Sequence, residues 1–184
     1  MRIIGGAWRS RLVDFPDALD LRPTPDRVRE TLFNWLGQDL SGRACLDLFA
    51  GSGALGFEAL SRGAASVVMV EKDPVALRAL RDNAQKLGAS NLTVVRGDAL
   101  EFARESRARF DVVFVDPPYR LSLQTAALAL VRGLLTERGR VYMESASALE
   151  APGWTVLRSA RAGNVHFHLL AGGTDDQGGV SGNV

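Results

Sequence analysis

The 184-residue sequence predicts an α/β protein with a Rossmann-like, mostly parallel seven-stranded sheet covered by helices on both faces. Three observations carry that prediction. From residue 43 onward, short apolar runs alternate with helical stretches of about 10–15 residues, the pattern of parallel strands joined by crossover helices. The first run leads into Gly51-Ser52-Gly53-Ala54-Leu55-Gly56, a G-x-G-x-x-G loop between a strand and a helix. Glu71 then closes the next apolar run about 20 residues later, where a carboxylate can hold ribose hydroxyls.

Each element follows from local signals. Ile3-Ile4, the turn dipeptide Gly5-Gly6 and Leu12-Val13 predict a hairpin over residues 1–14. Pro16 to Pro23 is a loop. Thr24-Pro25 starts a helix, with Thr as N-cap and Pro at the first helical position; Val28, Leu32, Trp35 and Leu36 share one face and Gly37 ends it. Strands are expected at 44–48, 66–71, 92–95, 110–115 and 140–143, and helices at 54–60, 74–87, 99–105 and 123–135. Asp73-Pro74 opens the second of these helices and Gly88 stops it. Residues 154–157 and 165–169 form a closing pair. Residues 172–184, Gly-rich and polar, predict a disordered tail. The chain is thus expected to be one domain over 1–171, in which 1–40 extends a core at 41–171.

Composition narrows the class. With 46% hydrophobic and 23% charged residues, the chain reads as a soluble globular domain. No apolar run approaches the roughly 18 residues of a membrane span, and no secretory signal opens the chain, so a cytoplasmic protein is expected. The single cysteine, Cys45, excludes an internal disulfide, suits a reducing compartment and reads as buried and inert. Two histidines, His166 and His168, exclude a three-histidine zinc centre. They share one strand face, where packing on the sheet or surface is expected, and no metal is called for.

The net charge of +1 conceals a basic start. Of 22 basic residues all but Lys72 and Lys86 are Arg, the better residue for gripping phosphate. Arg2, Arg9 and Arg11 lie in the first 13 residues with no acid among them, and Arg22, Arg27 and Arg29 follow at the next helix. Trp8 lies among the first three and could stack on a base. This is a candidate nucleic-acid face; for each arginine the alternative is a solvated charge or a salt bridge to Asp26 or Glu30. Trp35, on the apolar helix face, reads as core.

The glycine loop alone does not separate NAD from S-adenosylmethionine. The lead-in Asp47-Leu48-Phe49-Ala50-Gly51-Ser52-Gly53, taken with Glu71, resembles the S-adenosylmethionine-dependent class I methyltransferases. Asp116-Pro117-Pro118-Tyr119, closing the fourth strand, resembles the D/N-P-P-Y/F motif of amino-group methyltransferases. The match narrows through Arg2-Ile3-Ile4-Gly5-Gly6 with Trp8, Arg9 and Arg11, then Arg22-Pro23-Thr24, the run Asp26 to Leu36, Asp47 to Gly56, and Glu58 to Ala64. Over residues 1–145 it closely resembles the bacterial 16S ribosomal RNA guanine-N2 methyltransferase family, the small-subunit rRNA methyltransferase D type. The chain departs from that pattern at Ser10, where Gly is usual, in its loosely matching C-terminal strands and in its tail.

The resemblance implies a class I methyltransferase that moves a methyl group from S-adenosylmethionine to the exocyclic N2 amine of a guanine in 16S rRNA. Its implied catalytic residues are Asp116 and the Pro117 carbonyl, which accept the two amine hydrogens, and Tyr119, which stacks on the target base. The prolines fix φ and leave no competing backbone N–H. The implied cofactor residues are Asp47, near the methionyl amine, with Phe49, Gly51, Gly53, Glu71, Asp98 and Ala99; Asp98 would meet the adenine amino group. Arg2, Trp8, Arg9, Arg11, Arg22 and Arg27 would meet RNA, within an assembled or partly assembled small subunit. A monomer is expected. Blander roles stand beside these: Asp98 as a helix N-cap, Asp47 as a loop-ordering carboxylate, Phe49 as packing and Tyr119 as a rim aromatic. Three other functions compete. A DNA adenine-N6 methyltransferase would need a target-recognition domain that this length does not accommodate. An NAD-dependent oxidoreductase leaves Asp116 to Tyr119 unexplained. A non-catalytic RNA-binding module has no need of Asp47, Glu71, Asp98 and Asp116.

Overall fold

The computed structural model describes residues 1–15, 24–118, 123–146, 149 and 151–172. The loop expected over 16–23, the roles of Arg22 and Tyr119, and the tail beyond Gly172 lie outside the described residues. The strands are β1 (Ala44–Asp47), β2 (Ser66–Glu71), β3 (Leu92–Arg96), β4 (Phe110–Val115), β5 (Leu135–Ser145), β6 (Trp154–Ala162) and β7 (Val165–Gly172). The helices are α1 (Asp26–Leu36), α2 (Ala54–Ser61), α3 (Pro74–Leu87), α4 (Ala99–Glu105) and α5 (Gln124–Val131).

These strands form one seven-stranded sheet in the order β3-β2-β1-β4-β5-β7-β6. β1 pairs in parallel with β2 and β4, β2 with β3, and β4 with β5. β7 is inserted antiparallel between β5 and β6, so the closing pair is seated as expected. The two central strands are buried almost throughout, which explains their near-continuous apolar runs. One face packs Phe33, Phe57, Met69, Phe114, Tyr142 and Phe167 beneath α1, α2 and α3. The other packs Leu46, Val113, Val141 and Met143 with Ala99, Ala103, Leu128 and Val131 of α4 and α5. The order reverses between β1 and β4, which opens a crevice at their carboxyl ends.

Local signals placed several elements to the residue. The Asp73 carboxylate accepts from Val75 N and Ala76 N at 2.8 and 2.9 Å, Pro74 follows, and Gly88 closes α3 in the left-handed conformation. Cys45 is fully buried, and burial pushes its thiol up to about 12. Trp35 stacks on Phe167 at 5.2 Å. His168 is buried with Ser159 Oγ at 3.0 Å and Ser145 Oγ at 3.4 Å; burial, then His166, lowers its pKa.

Four expectations change. The N-terminal hairpin closes on a single bridge, Arg2 to Leu12, flanked by Ile3 N→Arg11 O and Val13 N→Met1 O. Gly5-Gly6 lies in its loop but does not stand free: Ile4 N and Gly5 N donate to Glu58, and Ala7 N donates to Ser61 O. A Cβ on Gly6, at φ +76°, would stand 1.8 Å from Ser61 O, so Gly6 is the point of closest approach and the arm lies docked on α2. Second, α1 begins at Asp26 with Pro25 at the cap position and no side-chain cap, and buried Thr24 acts on the Asp116 carboxyl instead of capping the helix. Third, the helix expected over 123–135 stops at Val131, a 3-10 turn spans Arg132–Leu134, and β5 starts at Leu135. The pairing of Phe110 with Leu135, followed by a register shift before Val112, leaves Glu137 and Arg138 exposed inside the strand and breaks its apolar pattern. Fourth, β6 and β7 outrun their apolar centres, and Gly172 pairs with Trp154 instead of opening the tail.

Arg29 is likewise not on an RNA face. It is 1% exposed and donates to Glu58, Asp26 and the Arg2 carbonyl. Glu58, 0% exposed, also receives Arg62 Nε at 3.0 Å and Nη2 at 2.9 Å. Removing it strands two buried cations and two backbone donors. Glu58→Ala is expected to destabilise the fold by about 3–5 kcal/mol in urea unfolding; a loss under 1 kcal/mol would contradict this role. Ser10 sits at φ +70°, where a side chain costs about 1–2 kcal/mol and glycine costs less. Ser10→Gly is expected to stabilise by ~0.5–1 kcal/mol after the added chain entropy of glycine, read in the same experiment.

Candidate active site

The crevice at the carboxyl ends of β1 and β4 gathers most of the predicted site. β1 ends at Asp47, which is 3% exposed and accepts Gly56 N at 3.0 Å. A Cβ on Gly56 would fall 2.4 Å from Met69 Cε and 3.2 Å from Asp47 Oδ2, so glycine is what lets α2 close down on the strand. Gly53, at φ +76°, begins α2 without a side-chain cap, leaving backbone donors at the helix mouth. Phe49 is half-buried and packs partly against the α4–α5 side of the core.

Glu71, half-buried at the end of β2, joins the loop to the next turn: Gly51 N donates to one oxygen and Asp73 N to the other, each at 2.8 Å. Asp98 caps α4 by accepting Leu100 N at 2.9 Å and Glu101 N at 3.2 Å. The capping role is therefore present; Asp98 is half-buried, with surface still open, and Ala99 beneath it is buried. Asp47, Glu71 and Asp98 thus line the ends of three adjacent strands, β1, β2 and β3.

Asp116 stands one residue beyond β4, half-buried, followed by buried Pro117 and exposed Pro118. Burial pushes its carboxyl well above the usual carboxylate range, Glu144 and then Asp47 add to that rise, and the Thr24 hydrogen bond opposes it. Glu144 is 3% exposed and accepts Tyr142 OH at 2.7 Å. Thr24, Tyr142 and Glu144 were not among the site residues expected from sequence. The only hint was a carboxylate closing the apolar run Val141-Tyr142-Met143, as Asp116 closes β4.

The structure separates the arginine arm from this crevice. Arg2, Arg9, Arg11 and Arg27 are exposed. Arg11 donates to Lys86 O at 2.7 Å and Arg2 to Ser10 O at 3.4 Å. Trp8 is half-buried, packs against the core and donates its backbone N–H to Ser61 Oγ. The arm's tip lies at the C-terminal end of α2, whereas the glycine loop is at the other end, ~12 Å away for eight residues of helix. The arm's root is closer, with Met1 Sδ 4.0 Å from Ser52 Oγ. Arg9 borders a polar cavity of about 560 Å³ shared with Glu30, Asn34, Gln38 and Arg62.

Burial raises the Asp47 carboxyl from 3.8 to about 7, Gly56 N–H opposes the shift and Glu71 adds to it. A carboxyl raised on folding contributes its full stability below about pH 4 and loses it as pH rises through 7. Asp47→Asn keeps an oxygen for Gly56 and removes the ionisation. It is expected to gain stability on the parent between pH 4 and pH 8, by up to ~4 kcal/mol, in urea titrations across that range. A gap that stays constant with pH would refute the buried ionisation.

The chain matches the family model described as Conserved hypothetical protein 95 over residues 1–171. It is 43% identical over 175 residues to ribosomal RNA small subunit methyltransferase D of Escherichia coli K12, covering 92% of this chain and 88% of that protein. The Haemophilus influenzae protein of the same name is 39% identical over 178 residues, covering 92% of each. Among solved structures, the Escherichia coli protein yhhF superposes with a TM-score of 0.86 at 42% identity, covering 94% of this chain and 98% of that one. A precorrin-6y C5,15-methyltransferase from Geobacter metallireducens, at 21% identity and a TM-score of 0.70, covers 88% and 95% and shares the fold. With a family match over residues 1–171 and relatives above 40% identity, the chain belongs to the Conserved hypothetical protein 95 family of methyltransferases, built on the class I methyltransferase fold.

Proposed function

We propose that this protein transfers a methyl group from S-adenosylmethionine to the exocyclic N2 amine of a guanine in 16S rRNA of the small ribosomal subunit. The observation that carries the reading is Asp116-Pro117-Pro118 at the switch point, opening on the same crevice edge as the glycine loop, Glu71 and Asp98. The curated relatives carry ribosomal RNA small subunit in their names, which supports the substrate class. The donor set also suits this cofactor: a carboxylate at Glu71 for ribose hydroxyls, open surface on Asp98 for an amino group, and the Asp47 carboxylate for a cationic methionyl end.

Bound there, S-adenosylmethionine supplies a methyl group on a positively charged sulfur. An exocyclic guanine amine is a weak nucleophile because its lone pair is delocalised into the ring. Asp116 accepts one N–H of the amine and the Pro117 carbonyl accepts the other, which leaves the lone pair free to face the methyl group. Neither Pro117 nor Pro118 carries a backbone N–H to compete. Negative charge on Asp116 stabilises the positive charge that develops on nitrogen. Tyr119 stacks on the base. Arg2, Arg9, Arg11, Arg22 and Arg27, with Trp8, hold RNA outside the crevice; of these, Trp8 and Arg9 lie on the part of the arm docked at the far end of α2. Such a docked arm suits a folded RNA surface, within an assembled or partly assembled particle, more than a single strand threaded to the crevice. The working protein is a cytoplasmic monomer in this reading. Among the described residues, no helix is long and apolar enough to cross a membrane.

Small-subunit particles from cells lacking the gene, incubated with radiolabelled S-adenosylmethionine, test the proposal; label must appear on guanine N2. Asp116→Ala is expected to abolish transfer while cofactor affinity holds, and parental turnover would refute the role. Glu71→Ala is expected to weaken cofactor binding by about 1–3 kcal/mol in calorimetry, with NAD failing to bind the parent. Replacing Arg9 and Arg11 with Ala should flatten the salt dependence of particle binding by roughly one unit of slope per lost phosphate contact, leaving cofactor affinity unchanged. An unaltered slope would remove the arm from the RNA surface.

A further inference from the structure

Glu144 is a buried carboxylate with no part in the cofactor crescent, yet it stands beside Asp116. The β4–β5 register pairs Val115 with Met143, so Asp116 and Glu144 occupy the next position on neighbouring parallel strands. Side chains alternate along a strand, which puts Phe114 and Asp116 on the face shared by Tyr142 and Glu144. The Phe114–Tyr142 ring contact at 6.5 Å lies on that face. Two carboxylates on neighbouring strand positions of one face, Glu144 of them buried, oppose each other's ionisation.

We propose that Glu144 is a positioning residue that shares one proton with Asp116, and thereby decides when Asp116 can accept the proton the guanine amine gives up. The proposal rests on the methyl-transfer reading. As nitrogen's lone pair forms the new N–C bond, the electrons of the C–S bond remain on sulfur and the amine loses one proton. Asp116 takes that proton only as a carboxylate. The Tyr142 hydroxyl donates to Glu144 Oε1 at 2.7 Å and favours its ionised form, so the shared proton rests on Asp116. The raised proton affinity of Asp116 agrees with this placement.

Thr24 donates from the segment before α1, and Asp47 adds negative charge from β1. Opposite Glu144 on β7 is Phe167, while His166 and His168 pair with Ser145 and Met143 and so face the other side of the sheet. The buried cation of α1, Arg29, is engaged by Asp26 and Glu58.

The test is the pH dependence of kcat/KM for the parent, Glu144→Gln and Tyr142→Phe, which reports the free enzyme's essential groups. The parent rate is expected to rise with pH around a midpoint above the ordinary carboxylate range, as a value belonging to the pair. Glu144→Gln keeps an acceptor for Tyr142 and removes the like charge. Its midpoint should fall by at least about one pH unit, a tenfold gain in ionised Asp116 on the acidic limb. Tyr142→Phe makes Glu144 the better proton holder and should shift the midpoint the same way by less. Carboxyl-carbon NMR titration of Asp116 without RNA reads the same shift independently of turnover. If Glu144→Gln fails to fold, Tyr142→Phe and the parent titration decide. An Asp116 titration that neither substitution moves overturns the inference, whatever the rates do. A shift in the titration without any RNA methylation would instead retain the shared proton and reject the methyl-transfer reading.

Discussion

The buried Glu58 carboxylate is the contact on which the placement of the site depends. Its two oxygens gather Ile4 N, Gly5 N, Arg29 and Arg62, joining the N-terminal arm, α1 and α2 at one point. Burying three charges is costly, and the arrangement compensates only because nearly every donor is used. Arg62 also lies over the Phe33 ring at 4.7 Å and donates to Gln38. Among the described residues, one atom of the cluster, Arg29 Nε, has no hydrogen-bond partner. Through Arg29 the cluster fixes α1, and through α1 it sets Thr24 against Asp116. A structural ion cluster far from the crevice therefore helps orient the group proposed to meet the substrate amine.

The crevice itself comes from topology. β1 and β4 are parallel neighbours whose chains leave toward opposite faces of the sheet, α2 on one side and the α4–α5 layer on the other. Their carboxyl ends are left uncovered by either helix. Asp47, Glu71, Asp98 and Asp116 all fall on that edge because each ends, or follows, a parallel strand. Four carboxylates there form a negative rim, which favours a cationic ligand; burial first, and like charge second, raises the proton affinity of Asp47 and Asp116.

Several of these carboxylates order the backbone around them. Glu71 ties Gly51 to Asp73 while keeping exposed surface, and Asp98 caps α4 in the same way. Capping and loop-bridging hold each carboxylate in one orientation, so a ligand meets a group already ordered. For Asp98 and Asp47, ordering backbone and facing a ligand are thus compatible: the same oxygen that orders backbone also fixes the direction of its partner.

What the sequence determined by itself is whatever depends on near neighbours along the chain. Asp73-Pro74 and Gly88 bounded α3, the G-x-G-x-x-G spacing located the strand-to-helix turn, and alternating apolar runs counted seven strands, because caps, turns and periodicity act within a few residues. Asp116-Pro117-Pro118 was visible as a motif for the same reason. Tertiary structure decided everything that needed two distant segments. Thr24 has the composition of an N-cap, but the fold brings it to Asp116, whose raised carboxyl it opposes, and leaves the helix without a side-chain cap. Arg29 reads as an RNA contact, a solvated charge or a partner of Asp26 or Glu30; the Asp26 pair forms, but Glu58, brought under it from α2, is what buries it. Gly5-Gly6 has the form of a hairpin turn, yet the α2 backbone occupies the space beside Gly6 and converts it into a docking point. Glu144 became part of the site only when β5 paired with β4 in a register that places it beside Asp116. Register and packing are set by the whole core, and no window of the chain contains them.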